Sequence, residues 1–256
     1  MNGTGLVRAP SSRLAEGIVT HISRTPVDVA LARAQHAAYA DALTASGWKI
    51  RQAPVAEDCP DSVFIEDAVV VCEDLAVLTR PGAPARRPEV EGAGEAVRAL
   101  GLRTARIEAP GTLDGGDVLQ AGRTVYAGRG GRTNGEGIRQ LRALLAPLGR
   151  TVVAVPLRSV LHLKSAVTAL PDGTFLVLPE LVPASLFPAV RPVTEEAGCH
   201  VVPLGGDRIL IAASAPRTAD YLADLGFAPV VVNISEFEKL EGCVTCLCVL
   251  LPGNGA

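Results

Sequence analysis

Aromatic side chains are scarce in this chain: one Trp, three Tyr and five Phe, 4% of 256 residues. Only one Met is present. A core must therefore be filled by Ala, Val and Leu, and a 48% apolar content is enough for a globular fold. Neither charge is in excess. The formal net charge is −3, from 24 Lys and Arg against 27 Asp and Glu. With no basic stripe, nucleic acid is not an expected partner; with no acidic run, no solvated tail is expected. Long apolar runs are also missing. In the first half the longest, residues 68–72, is far too short to span a bilayer, so no membrane partner is expected. The N-terminus, Met1-Asn-Gly-Thr-Gly, lacks the charged-then-apolar pattern of a signal peptide. Six Cys without such a signal read as free thiols in a reducing, cytoplasmic compartment. The length suits one large core, and a single domain over residues 1–256 is the expectation.

What the chain does have is an internal repeat. Five expected helices each stop at a glycine: Gly47, Gly101, Gly149, Gly198 and Gly226. Glycine is favoured just past a helix end because it adopts the left-handed backbone without a Cβ penalty. A β-prone stretch follows each one, at residues 48–54, 102–110, 150–156, 199–203 and 227–235. The glycines are spaced by 54, 48, 49 and 28 residues. Hairpins precede the helices at 68–72 with 75–79, at 118–121 with 124–127 and at 166–170 with 174–178. Each unit thus reads strand–strand–helix–strand, as in a blade-like array. The fourth unit reads as truncated, since 208–212 offers one strand where two are expected and the helix at 218–225 follows closely. The first helix, 27–46, has only residues 17–22 as a preceding strand, whose partner would be 243–251. Pairing first and last segments would close a ring and remove sheet edges. The expected fold is therefore an α/β propeller of five ββαβ repeats.

Polar residues gather at one place in the repeat, just before its first strand. They are Asp61 with Glu66 and Asp67, Asp114 with Asp117, His162 with Lys164, and Cys243 with Thr245, Cys246 and Cys248. In a cyclic array these positions share one end of the axis, so carboxylates, a histidine and a thiol would meet in a central pocket. Singly, each has a plainer explanation: core packing for the Cys, a satisfied core histidine for His162, turn formation for Asp114 and Asp117. Their joint placement carries the argument. Cys243-Val-Thr-Cys246 also has the spacing of a zinc half-site, but no second pair stands near it. On a continuous strand the two would also face opposite sides. No metal is expected.

At these residues the chain resembles the dimethylarginine dimethylaminohydrolases of the guanidino-group-modifying (pentein) superfamily. The matching blocks are Asp61-x-x-Phe-x-Glu-Asp67, Thr79-Arg-Pro-Gly-Ala-Pro-x-Arg-Arg87 and Thr112-Leu-Asp-Gly-Gly-Asp-Val-Leu119. Further matches are Gly131-Arg-Thr-Asn134, Leu161-His-Leu-Lys-Ser165 and Ser235-Glu-x-Glu-Lys-x-x-Gly-x-x-Thr-Cys246. They occur in the family's order over most of the chain. The family's fold is a five-bladed α/β propeller. The resemblance implies Cys246 as nucleophile, His162 as general acid–base and Asp114 as the carboxylate orienting the histidine. It implies that Asp61, Glu66 and Asp67 bind substrate and that Arg86 and Arg132 contact its amino-acid end. Leu240 matches an apolar contact, and the loop around Val19 matches a lid.

The implied reaction is hydrolysis of Nω-methylated free arginine, asymmetric dimethylarginine or monomethylarginine. Its products are citrulline and dimethylamine or methylamine, formed through a covalent thiouronium on cysteine. Carboxylates can hold the guanidinium in a fixed fork, and a thiolate is the strongest side-chain nucleophile near neutral pH. No cofactor is needed. The expected partners are a small-molecule substrate and at most a second copy of the chain, as a homodimer. The alternatives are deimination of unmethylated arginine, amidinotransfer, or a non-catalytic metal-binding propeller.

Overall fold

The computed structural model describes residues 3–253. Strand β1 (Gly3–Val7) leads through an extended loop to α1 (Val29–Ala45) and β2 (Trp48–Gln52), which runs parallel to β1. Helix α1 starts where Asp28 accepts hydrogen bonds from the Ala30 and Leu31 amides, an N-cap that satisfies two otherwise orphaned donors. The second unit is the hairpin β3 (Val69–Cys72) and β4 (Leu75–Leu78), then α2 (Glu89–Ala99) and the parallel strand β5 (Arg103–Arg106). The third repeats this as β6 (Val118–Ala121), β7 (Thr124–Arg129), α3 (Gly135–Leu145) and β8 (Thr151–Pro156).

Next comes a hairpin of β9 (Val167–Ala169) and β10 (Phe175–Val177), with β11 (Val190–Pro192) parallel to β10. The last full unit is β12 (Val201–Gly205), β13 (Arg208–Ala212), α4 (Pro216–Asp224) and β14 (Ala228–Val232). A short helix α5 (Ser235–Glu238) precedes β15 (Val249–Pro252), which pairs antiparallel with β1. The result is five three-stranded sheets, each an antiparallel pair plus one parallel strand, arranged as a five-bladed α/β propeller. The chain's two ends are joined in one blade, as the expected ring closure requires.

Four of the five expected helix stops are glycines with positive φ: Gly47 at 90°, Gly101 at 82°, Gly149 at 66° and Gly226 at 89°. The fifth, Gly198, lies in the short 3-10 turn Glu196–Cys199 rather than behind an α-helix. The reduced unit is therefore not the fourth, as the sequence suggested. Residues 199–203 begin that unit's hairpin, so it has both strands. The third hairpin's unit is the short one: only a 3-10 turn, Ala184–Leu186, stands where a helix is expected. Pro179, Pro183 and Pro188 explain this, because each removes an amide donor and clashes with the preceding helical turn.

Two other strand expectations are corrected. Residues 17–22 form no strand; their amides serve carboxylates instead, as described below. The C-terminal strand begins only at Val249, because residues 244–247 form a turn.

The core is split among the blades and filled mainly by aliphatic side chains. Three of the few aromatics, Tyr126, Phe175 and Phe187, pack together with centroids 4.9–5.6 Å apart. They lie beside the unit that lacks a helix and fill volume there. The first strands of four blades are each preceded by a 3-10 turn: Ile65–Ala68, Gly115–Asp117, Leu163–Ser165 and Glu196–Cys199. These turns pack in succession, each against the next. The fifth blade has the 244–247 turn in the same place. The chemistry-bearing residues sit on or beside this ring of turns.

Candidate active site

Close approach between the turns depends on two glycines. A Cβ on Gly115 would lie 1.9 Å from the Glu66 carbonyl oxygen, and one on Gly116 would lie 2.6 Å from His162 Nδ1. Both contacts are impossible, so only glycine lets the Asp114 segment pack between Glu66 and the imidazole. The Gly116 amide then donates to Asp67 Oδ1 at 2.8 Å.

His162 is buried at the start of its turn. Its Nε2 is 3.1 Å from Asp114 Oδ2, while Nδ1 is 3.8 Å from Asp67 Oδ1, too far for a hydrogen bond. Asp114 is fully buried and its other oxygen accepts from the Gly82 amide at 2.8 Å. It therefore fixes the ring and leaves the remote nitrogen to exchange a proton. Burial alone would disfavour the imidazolium. The charge on Asp67, the Asp114 hydrogen bond and Asp117 overcome it and raise His162 to about 9.

Asp67 is held ionised. Burial pushes its carboxyl up, but the charges of His162 and Arg86 and the hydrogen bonds from Arg86 and Gly116 bring it well below the usual range. Arg86 is as buried as Asp67. It donates from Nη1 to Asp67 Oδ2 at 2.6 Å, and from Nε and Nη2 to the two Glu89 oxygens at 3.0 and 2.9 Å. Its Nη2 also reaches the carbonyls of Asp61 and Phe64. Most of its donors are thus committed to the protein. Burial raises Asp61, although Arg86 and the Ile18 amide draw it back.

Cys246 lies in the 244–247 turn, whose Val244 carbonyl accepts a 2.7 Å hydrogen bond from the buried Tyr39 hydroxyl. Contact with the Cys243 thiol, burial, and the charges of Cys243, Glu66 and Asp67 push the Cys246 thiol well above its ordinary value. Cys243 and Cys246 do not face opposite sides of a strand, as expected; the turn brings their sulfurs to 3.0 Å.

One pocket is lined by Asp61, Asp67, Arg86, Arg132, His162, Leu240 and Cys246, which gathers seven of the ten expected site residues around one space. Asp114 acts from behind, through His162. His162 and Cys246 both line this space, so a ligand in it can meet both. Arg132 lines the pocket with Nη1 3.7 Å from Asp114 Oδ2, while its Nη2 donates to Thr20 Oγ1 at 3.3 Å.

Two expected contacts fall elsewhere. Glu66 accepts hydrogen bonds from Lys164 and from Thr245 Oγ1 and lines a separate cavity of about 800 Å³ together with Lys164 and Trp48. Burial, partly offset by Lys164, raises its carboxyl to about 8. Val19 packs against the apolar core, and Ile18, one residue earlier, lines the pocket.

Sequence reasoning gave no role to Glu89 or Glu241, and placed Asp117 among the clustered carboxylates or as a turn former. Asp117 Oδ1 accepts from the Leu163 amide at 2.9 Å and so sets the turn that carries His162. Glu241 accepts from the amides of Thr20 and His21 at 2.6 and 2.7 Å and clamps the loop over the pocket. It does so from a left-handed backbone, φ 61°, unusual for a residue other than glycine. Asp117 lay inside a recognised block; Glu241 had no signal beyond its distance from Cys246.

Asp67, Asp114 and His162 are close enough to share a cation. Their donor atoms, however, are already engaged by Arg86, Gly116 and Gly82, and two guanidinium groups stand beside them. This arrangement suits an organic cation that brings its own N–H donors better than it suits a metal.

No family model matches the chain. It is 61% identical over 247 residues to the N(G),N(G)-dimethylarginine dimethylaminohydrolase of Streptomyces coelicolor, covering 96% of each chain. It is 36% identical to that of Pseudomonas aeruginosa, over 94% of this chain and 96% of the relative. The structure of a cysteine-to-serine variant of the Pseudomonas enzyme, complexed with citrulline, superposes with a TM-score of 0.91 at 34% identity, covering 98% of this chain and 100% of that one. The chain belongs to the dimethylarginine dimethylaminohydrolase family.

Proposed function

We propose that this chain hydrolyses Nω-methylated arginine to citrulline and methylamine or dimethylamine, with Cys246 as nucleophile. The observation that carries this reading is one pocket holding a buried thiol, a carboxylate-held imidazole and an ionised carboxylate paired with Arg86, with Arg132 also in its lining. The substrate's guanidinium sits against Asp67, with Asp61 adding negative charge. Arg132 takes the substrate's α-carboxylate, assisted by the remaining donor capacity of Arg86, and Leu240 flanks the alkyl chain.

Contact with Cys243 and burial favour the protonated Cys246 thiol. A bound cation beside it favours the thiolate. Attack on the guanidinium carbon forms the C–S bond and a tetrahedral adduct. The His162 imidazolium protonates the leaving amine as the C–N bond breaks, leaving a thiouronium on Cys246. Neutral His162 then takes a proton from water, which attacks the same carbon, and citrulline leaves as the thiolate re-forms. Asp114 keeps the ring oriented throughout. All six cysteines are free, which fits the cytoplasmic location we propose. No helix among the described residues is long and apolar enough to cross a membrane.

The test is citrulline release from arginine, monomethylarginine, asymmetric dimethylarginine and agmatine. The methylated arginines should be turned over fastest, and Cys246→Ser should lose at least ~10³-fold, because a hydroxyl ionises far less readily than a thiol. Faster turnover of unmethylated arginine would replace this reading with deimination.

A further inference from the structure

The hydrolysis uses one thiol, but the turn presents two. Position 243 is open in the family's Thr-Cys block, yet here it holds a cysteine whose Sγ is 3.0 Å from Cys246 Sγ. The Cys246 amide donates to the Cys243 carbonyl at 3.1 Å and closes a four-residue turn. The ends of such a turn fall within about 7 Å, the Cα range a disulfide can bridge. The Cys243 amide points at Cys246 Sγ over 3.4 Å, and Thr245 Oγ1 is 3.1 Å from Cys243 Sγ.

The two thiols line different spaces. Cys246 is in the substrate pocket, 7% exposed; Cys243 lines a second cavity of about 870 Å³, with His200, Ser165 and Glu241. The His200 imidazole hydrogen-bonds the Ser165 carbonyl at 2.9 Å; contact with Cys246 and then the His200 charge lower the Cys243 thiol against its burial. A tetrahedral zinc would hold two thiolates about 3.8 Å apart and needs further ligands. Among the described residues, no group of three or more candidate metal ligands includes this pair.

We propose that Cys243 and Cys246 form a modification site for peroxides, in which Cys243 is the resolving thiol that converts an oxidised Cys246 into a reversible disulfide. The inference rests on Cys246 being the nucleophile. Cys246 first passes its proton to the Cys243 sulfur 3.0 Å away, and the resulting Cys246 thiolate attacks one oxygen of a hydroperoxide. An S–O bond forms, the O–O bond breaks and hydroxide leaves, so Cys246 becomes a sulfenic acid and the peroxide is reduced. That hydroxide takes the Cys243 proton to become water, and the Cys243 thiolate then attacks Cys246 Sγ. The S–S bond forms, the S–O bond breaks and the departing hydroxide takes a proton to become water. In sum, two thiols and hydrogen peroxide give one disulfide and two waters. The sulfurs need to approach by only about 1 Å. Hydrolysis stops while the bridge lasts, and a dithiol restores it. Without Cys243 the sulfenic acid lacks this partner and passes on to the irreversible sulfinic acid.

The experiment treats the reduced full-length chain with hydrogen peroxide. It follows intact mass, alkylation of each cysteine in the C-terminal peptide, and hydrolysis of asymmetric dimethylarginine. Wild type should lose two hydrogens, protect Cys243 and Cys246 from alkylation, and lose at least roughly tenfold in activity, recovered by dithiothreitol. Cys248→Ser should behave the same way. Cys243→Ser should instead gain oxygen on Cys246 and stay inactive after dithiothreitol; the wild-type masses decide the matter even if this variant folds poorly. Oxygen on Cys246 of the wild type without a bridge, or a bridge to Cys248, overturns the proposal. A Cys243–Cys246 bridge that leaves hydrolysis intact overturns the nucleophile assignment, and the shut-off with it.

Discussion

Arg86 donates from Nη1 to Asp67 Oδ2 over 2.6 Å, with side-chain exposures of 6% and 3%. Glu89 brackets the same guanidinium from the other side, 2% exposed. The carboxylate proposed to hold the substrate is therefore kept ionised, against its burial, by the His162 charge and by the buried Arg86. Removing one member of a buried charged set leaves the others uncompensated and costs about 3–5 kcal/mol. Arg86→Met should lower stability by that amount in denaturant unfolding. Arg132→Ala, at a partly exposed site, should cost less than about 1 kcal/mol. Equal losses in the two variants would show that Arg86 is no more structural than Arg132.

The two ends of the substrate can be read separately. Agmatine keeps the guanidinium but lacks the carboxylate proposed to meet Arg132. It should be poorer by about 2–4 kcal/mol in kcat/KM terms, since the charge-assisted hydrogen bonds between Arg132 and the carboxylate are lost. Arg132→Ala should narrow the gap between methylarginine and its decarboxylated analogue, chiefly by harming the former. If both substrates suffer alike, Arg132 does not read the carboxylate.

His162→Asn should reduce turnover by roughly 10²–10⁴ through loss of the acid–base. The imidazole also links stability to pH. Its folded value of about 9 lies above the ordinary 6.5, so the folded state holds the proton more tightly. The resulting stabilisation is fully present below pH 6.5 and is lost as pH rises towards 9. Across that window the Tm of wild type should fall relative to His162→Asn, and the ring's NMR shifts should titrate near its upper end. A ring titrating near 6.5 would remove the Asp67 and Asp114 argument.

Tyr39→Phe deletes the hydroxyl that satisfies the Val244 carbonyl inside the nucleophile's turn. The unpaired carbonyl should cost about 1–3 kcal/mol. Turnover should fall more than in proportion to any unfolded fraction, because the turn positions Cys246. Unfolding curves and kcat measured on the same sample check this.

Glu241→Gly removes both the loop clamp and the left-handed strain of a Cβ-bearing residue. Relief of about 1 kcal/mol offsets the lost exposed hydrogen bonds. Stability should change by less than about 1 kcal/mol while KM rises, since the 17–22 loop is no longer held over the pocket. An unchanged KM would show that the loop closes without Glu241.

The repeat was legible in the sequence because local rules write it. Glycines after helices, turn residues between paired β-prone runs and the capping Asp28 act within a few residues of themselves. The gathering of Asp114, His162 and Cys246 followed from the same periodicity, since equivalent positions of a ring share one end. Tertiary structure decided the rest. That Arg86 reaches back to Asp67 within its own unit, and that Glu66 turns to Lys164 and Thr245 of other blades, depends on which side chains the folded chain sets beside one another. No pattern along the chain encodes that. Residues 17–22 look extended in sequence, but whether extended backbone joins a ladder or is held by Asp61 and Glu241 depends on what lies beside it. The Cys243–Cys246 contact turned on a single local choice. Apolar residues 244–249 suit a strand by composition, yet packing against Tyr39 and the neighbouring turns folds 244–247 back on itself, and a pair that a strand would separate is brought to 3.0 Å.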